Sequence, residues 1–145
     1  MSDCLIEFTT QFLAVDVATV ADHVYPRRVI EKAIEAAPAT LPGMLQMPVD
    51  FFGKSADLAQ ISHTCSDFKV HDDGAVTCRV RVLNTQCGQV LRNLLAASTP
   101  MSLGLACVGT PDEPIEGKPT VVRNVSFHSI NMTQPVEGYQ LNYIK

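Results

Sequence analysis

The residues most able to do chemistry are one serine and two histidines near the middle of the chain. His63 and His128 lie in segments predicted to be strands, and Ser102 lies in a predicted strand between them. A serine nucleophile needs an imidazole within hydrogen-bonding reach and a third group that orients the imidazole. One hypothesis therefore places Ser102 with both histidines in a catalytic site. In the alternative, His63 is an ordinary strand residue, His128 lies at the surface or packs beside Phe127, and the Ser102 hydroxyl bonds to the backbone. Residue types alone favour this alternative.

Metal and cofactor chemistry has little support in the sequence. The only grouping of candidate ligands is the run from His71 to Asp73, which is typical of a turn. The five cysteines show no C-x-x-C spacing, so we expect reduced thiols rather than a zinc site or a disulfide framework. The segment "GLACVG" at 104–109 reads as a strand and not as a phosphate-binding loop. The sequence predicts no metal and no cofactor.

The central stretch, 58–109, must position these side chains. It predicts a strand over 58–70, a turn at "HDDG", a strand over 75–83, a helix over 87–98 and a strand over 100–109. The second strand has the clearest pattern, because valines and a cysteine alternate with Thr77, Arg79 and Arg81. The turn residues favour a hairpin between the first two strands. The helix has an apolar stripe consisting of Val90, Leu91, Leu94 and Leu95.

The flanking segments complete a mixed fold. Residues 4–17 predict a first strand or a bent pair of strands, and a helix is expected to begin at Pro26 and end before Pro38. Residues 38–57 predict an irregular connection and 110–120 an exposed loop, after which 120–133 and 139–144 read as strands. We therefore expect one domain over 1–145 of the α+β class, mainly antiparallel β, forming a small barrel or sandwich with two or more flanking helices.

Composition excludes two classes of partner. The net charge is −4 and the longest basic run is Arg27-Arg28, so the chain lacks the basic surface that nucleic-acid binding requires. No stretch approaches the ~20 apolar residues that span a bilayer, and no signal peptide is recognisable at the N-terminus. The expectation is a soluble protein, intracellular when made, without nucleic-acid or membrane partners.

Several motifs in order resemble a known family. The runs are "VYPRRVIEKAIEA", "LPGMLQMP", "LAQISHTCSDFKV", "GAVTCRVRVLNTQCGQVLRNLLAAS" and "LGLACVG", which together cover about residues 22–135. They look like the prohead maturation proteases of tailed phages, which share a broad fold with the herpesvirus assemblins. The resemblance implies this fold and a phage setting.

The departures from this family fall on the positions that carry its chemistry. Met47 stands where the family has a catalytic histidine, and a thioether cannot act as a general base. Ala106 stands where the family has its nucleophile, so that position has no hydroxyl. Met44 replaces the acidic residue of the loop, and Val108 replaces the arginine after the nucleophile. The resemblance therefore implies a catalytically degenerate member whose fold is retained for binding.

The main functional prediction is a non-catalytic virion structural protein, either a capsid decoration protein or a minor head protein. It would be present in many copies on a shell or would self-associate, and would lie in the host cytoplasm during assembly and then in the virion. Contacts are expected from sheet edges, from the loops at 38–57 and 109–119, and from an apolar cluster that could instead fold over the protein's own core. The members of this cluster are Leu41, Met44, Leu45, Met47, Phe51 and Phe52.

Two other functions stay open. A shifted alignment places "MSLG" against the Ser-x-Gly of related branches, which would make the protein an active serine-type prohead protease using Ser102 with His63, His128 or both. In that setting Cys107 is a second candidate nucleophile. The third hypothesis is an accessory subunit of a true protease.

Overall fold

A computed structural model describes residues 4–17, 23–45, 60–113 and 115–133, with 106–108 described through their backbone only. Seven strands and two helices follow one another within these residues. In chain order they are β1 (Cys4–Ala14), β2 (His23–Val24), α1 (Arg27–Ala36), β3 (Thr40–Met44), β4 (Ile61–Val70), β5 (Ala75–Leu83), α2 (Gln86–Ala96), β6 (Ser102–Pro111) and β7 (Thr120–Thr133). No helix among the described residues is long and apolar enough to cross a membrane.

The first sheet has four antiparallel strands in the order β1-β5-β4-β3. Its β4–β5 hairpin turns at Gly74, whose φ of 92° lies in the left-handed region that glycine adopts without steric cost. The Asp73 carboxylate accepts a hydrogen bond from the Ala75 backbone N–H at 3.0 Å, which stabilises the turn. Along β5, Val76, Cys78, Val80 and Val82 are all fully buried, so the alternation in the sequence correctly predicted the inner face.

The second sheet has three strands in the order β2-β7-β6. Strands β6 and β7 are antiparallel and pair from Ser102 opposite Thr133 to Pro111 opposite Val122, whereas the short β2 is parallel to β7. A bulge makes His128 an extra residue between the pairs that Phe127 and Ser129 form with β6. Polar residues of β7 beyond this bulge are buried beside the first sheet, which matters for the candidate site.

The core lies between the two sheets and includes one side of each helix. Strand β3 packs beside β7 and β1 beside β6, so the edges of the two sheets meet. Residues of β1, β4, β5, β6 and β7 join Ile30 and Ala33 of α1 and Leu91 and Leu95 of α2 in one apolar cluster. The α+β, mainly antiparallel fold predicted from the sequence is confirmed.

Three local expectations need correction. Part of the predicted irregular connection at 38–57 is the strand β3, which pairs with β4 although it contains Pro42 and Gly43; proline is tolerated at a sheet edge. Val90 is 47% exposed and not part of the buried stripe of α2. Pro26 precedes the first helical residue, Arg27, and occupies the N-cap position of α1. The predicted strand at 139–144 lies outside the described residues.

Candidate functional site

Buried polar side chains are concentrated where the two sheets meet. Six polar residues of the described chain are buried, and five of them lie on β4, β6 and β7. Those five are Ser62, His63, Ser102, Ser129 and Asn131. Among the described residues, no buried side-chain nitrogen or oxygen lacks a hydrogen-bond partner. Hydrogen bonds near Ile130 involve four of these five side chains, Ser62, His63, Ser129 and Asn131, in a polar network inside the protein, whereas Ser102 lies further along β6.

His63 is the centre of this network, and both of its ring nitrogens are occupied. Its Nε2 lies 2.7 Å from the carbonyl oxygen of Ile130, and its Nδ1 lies 2.7 Å from the Ser62 hydroxyl. A carbonyl oxygen can only accept, so Nε2 carries the proton and Nδ1 accepts the hydroxyl proton of Ser62. Burial lowers the pKa of His63 to about 4, although the hydrogen bond to the Ile130 carbonyl acts in the opposite direction. The imidazole is neutral at pH 7.

Strand β3 lies directly over this imidazole. A Cβ atom on Gly43 would overlap His63 Nε2 and the Ile130 carbonyl oxygen, so only glycine fits at this position. The next residue, Met44, donates its backbone N–H to the Asn131 side-chain oxygen at 3.0 Å. The Asn131 amide nitrogen in turn donates to the Ser129 hydroxyl at 3.2 Å. Side chains of β4 and β7 thus hold the first sheet against the second.

The backbone register of β6 places residues 104, 106 and 108 opposite polar residues of β7, and positions 106 and 108 are those at which the chain departs from the family that it resembles. Gly104 pairs with Asn131, and Ala106 pairs with Ser129. Because directly paired residues of antiparallel strands share a face of the sheet, position 106 belongs to the face that carries Ser129. Position 108 pairs with Ser126, further along β7. Met47 lies outside the described residues.

Ser102 lies in another part of β6. It is fully buried and pairs with Thr133, three residues beyond Ile130, which is an offset of about 10 Å along the strand. His128 is half-buried at the bulge and is five residues from Thr133, an offset of about 16 Å. The structure brings His63 to Ser62 and Ile130, and the backbone register spaces Ser102 and His128 well apart.

The apolar cluster proposed for contacts divides into three parts. Leu41 and Met44 are buried in the protein's own interior, 2% and 6% exposed, so neither is available at the surface. These two residues therefore follow the second alternative given for the cluster, because they pack in the protein's own interior and not in an interface. Leu45 is partly buried against the core. Met47, Phe51 and Phe52 lie outside the described residues.

The other candidate groups from the sequence are the possible metal ligands, His71 and the cysteines. No three His, Cys, Asp or Glu side chains within 4–17, 23–45, 60–113 and 115–133 could hold one metal ion. His71 Nε2 lies 2.8 Å from the Thr77 hydroxyl, which ties the hairpin turn to β5. Cys65 and Cys78 are buried free thiols, and the Cys78 side chain together with burial raises the pKa of Cys65. Cys107 is among the residues that the structure describes through their backbone only.

Three residues of the site were not singled out by sequence reasoning. Ser62 is one unremarked residue of the run "LAQISHTCSDFKV", and Gly43 lies in the segment 38–57 that was predicted to be an irregular connection. Asn131 had no signal at all, because an asparagine in an alternating strand is usually a solvent-facing residue. Its role depends on β3, which is close to it in space and 87 residues away in the chain.

Comparisons with known proteins agree with this fold. No family model matches the sequence, and no curated protein matches it. A solved structure of the bacteriophage T4 capsid assembly protease, gp21, superimposes with a TM-score of 0.74 over 88% of this chain and 80% of that chain, at 19% sequence identity. At that identity the likeness concerns the fold. The chain described here has a prohead-protease-like fold.

Proposed function

We propose that this protein is a non-catalytic structural component of a phage virion, a capsid decoration or minor head protein built on a degenerate prohead protease fold. It would bind capsid or other virion proteins in many copies or self-associate, first in the host cytoplasm and then in the particle. The fold likeness to a phage capsid assembly protease supports the phage setting. The chemistry of the candidate site supports the absence of catalysis.

The observation that carries the proposal is the state of His63. A serine and its general base must be hydrogen-bonded to each other and also reached by the substrate. The Ser62 hydroxyl lies 2.7 Å from His63 Nδ1, and Nε2–H is directed at the Ile130 carbonyl, but Ser62 and His63 are both fully buried, so a substrate carbonyl does not reach this pair. Burial also keeps the imidazole neutral and reluctant to accept a proton. These bonds make His63 a connector between sheets.

The family positions point in the same direction. By resemblance, Met47 and Ala106 stand where the base and the nucleophile would be, and neither side chain can transfer a proton or attack a carbonyl. Ala106 pairs with Ser129 on β7, and the Ser129 hydroxyl accepts a hydrogen bond from the Asn131 amide. A polar network that connects strands would remain useful after catalysis was lost, because breaking it would leave buried polar groups unpaired.

The alternative is an active serine endopeptidase with Ser102 as nucleophile and His63 or His128 as partner. It is favoured by the "MSLG" segment, in which Ser102 precedes Gly104 with the Ser-x-Gly spacing. It requires His63 to release Ser62 or Ile130 and approach a serine that is about 10 Å away along the strand direction.

Labelling with a fluorophosphonate probe separates the two functions. The purified protein, its Ser102→Ala variant and a Ser98→Ala control at an exposed serine are incubated with the probe beside an active serine hydrolase. We expect labelling of the hydrolase alone. Labelling of the wild type and the Ser98→Ala control that disappears in Ser102→Ala would overturn the proposal and establish a protease.

Mass spectrometry of purified virions tests the structural role. A structural protein should be present as the full-length chain at a fixed ratio to the major shell protein. A maturation protease processes itself and largely leaves the particle. Absence of the full-length chain from mature particles would contradict a virion role.

A further inference from the structure

The end of the β6–β7 hairpin is held in a defined shape. We use "hairpin end" for residues 109–113 and 115–123. The Asp112 backbone N–H donates to the Val121 carbonyl at 2.8 Å, and the Lys118 N–H donates to the Ile115 carbonyl at 3.1 Å. An ion pair joins Asp112 to Arg123, and β2 pairs with β7 beside this segment. These bonds define the backbone conformation of the described residues of the hairpin end.

This ordered segment exposes apolar side chains. Ile115 is 62% exposed, and Val121 is 39% exposed. Among the described residues, only Val17 and Val90 are other large apolar side chains with comparable exposure. An isoleucine on a fixed loop is suited to fill a pocket on another protein, because little conformational entropy is lost when it binds. Ile115 is not part of the protein's own core.

The charges around Ile115 indicate what kind of surface it would meet. Arg123 neutralises Asp112, which leaves the exposed carboxylates of Glu113 and Glu116 with one exposed cation, Lys118. A surplus of negative charge repels nucleic acid and anionic lipid headgroups and attracts basic side chains. The fitting partner is a protein with an apolar pocket bordered by lysine or arginine.

We propose that the hairpin end, with Ile115 at its centre, docks into an apolar pocket with a basic rim on the major shell protein of the phage. This inference rests on the proposed function and names the contact through which it would operate. Ile115 supplies the buried anchor, Glu113 and Glu116 pair with the rim, and the hydrogen bonds of the loop fix the orientation of the anchor.

The test is co-sedimentation of the purified protein with shells assembled from the major shell protein of the same phage. Ile115→Asp is compared with Val90→Asp, a matched change at an exposed position on α2, outside the hairpin. Loss of a central anchor should weaken binding by about tenfold or more. Val90→Asp should bind as the wild type does. The double variant Glu113→Gln/Glu116→Gln should bind more weakly at low salt and lose its salt dependence.

The outcomes distinguish this inference from the proposed function. If the wild type fails to bind shells, this inference fails, and mass spectrometry of purified virions still decides the virion role. If the wild type binds and Ile115→Asp binds equally well, the hairpin end is not the contact, and the virion role stands. Sedimentation of the protein without shells measures whether it self-associates. Self-association that Ile115→Asp abolishes would mean that the pocket belongs to a second copy of this chain, which would also overturn the inference.

Discussion

Acid should destabilise this protein through one residue, His63. The imidazole is fully buried, its Nδ1 accepts from Ser62, and its neighbours Gly43 and Ile130 offer it no negative charge. Protonation of Nδ1 would remove that acceptor and place an unpaired charge in the interior. Burial therefore holds the pKa of His63 at about 4, below the value of 6.5 for an unperturbed histidine.

The sign and size of the effect follow from proton linkage. Between the two pKa values the unfolded chain binds a proton at residue 63 and the folded chain does not. The free energy of unfolding is therefore highest above about pH 6.5 and falls as the pH falls toward 4. The full difference is about 3 kcal/mol, of which about 2 kcal/mol is lost between about pH 7.5 and about pH 5.

Urea unfolding at a series of pH values measures this loss. His63→Gln provides the control, because its amide can donate to the Ile130 carbonyl and does not titrate. Other groups titrate in both proteins, so the difference between the two pH profiles isolates residue 63. We expect the wild type to lose about 2 kcal/mol more than the variant between about pH 7.5 and about pH 5. Profiles that run parallel would refute the buried neutral imidazole and the role assigned to it.

Three further substitutions test how the site is held. Gly43→Ala should lower the free energy of unfolding by at least about 2 kcal/mol, because the added methyl group overlaps His63 and a carbonyl oxygen; a wild-type urea midpoint would contradict the close approach of β3. Thr85→Ala should lower the free energy of unfolding by about 1 kcal/mol, because the Thr85 hydroxyl caps α2 and donates to the Ile61 carbonyl of β4. Thr85→Ser should retain most of that stability in the same assay. Arg27→Ala should lower the thermal midpoint by a few degrees, corresponding to about 1 kcal/mol, because its guanidinium bonds to two carbonyls of the β4–β5 turn; Arg27→Lys should recover only part of the loss, and equal midpoints would show that the contact is not needed.

Local patterns were sufficient for much of the fold. The alternation along β5 predicted its buried face, because a period of two directs every second side chain to the same side. The Asp-Asp-Gly turn predicted the β4–β5 hairpin through the one residue that adopts a positive φ, Gly74. These features depend on neighbours in the chain, which are visible in the sequence.

The errors have a tertiary cause. Thr40–Met44 contains a proline and a glycine and reads as a loop, yet it forms a strand because β4 offers it an edge and His63 requires a glycine above its ring. Val90 fits the apolar period of α2 but is exposed, because the contact face of that helix is narrower than the stripe. Periodicity predicts which side chains are apolar and does not predict which of them another element will cover.

The sequence by itself determined the order of both helices and of the five longer strands, the antiparallel hairpin and the apolar residues at the positions where the resembling family has its catalytic groups. Each of these depends on residue type or on spacing over a few positions. Only the tertiary structure decided that His63 is joined to Ser62 and Ile130, and that Asn131 holds Met44 from 87 residues away. Hydrogen bonds between distant segments depend on how the two sheets meet, and this follows from the packing of the entire core.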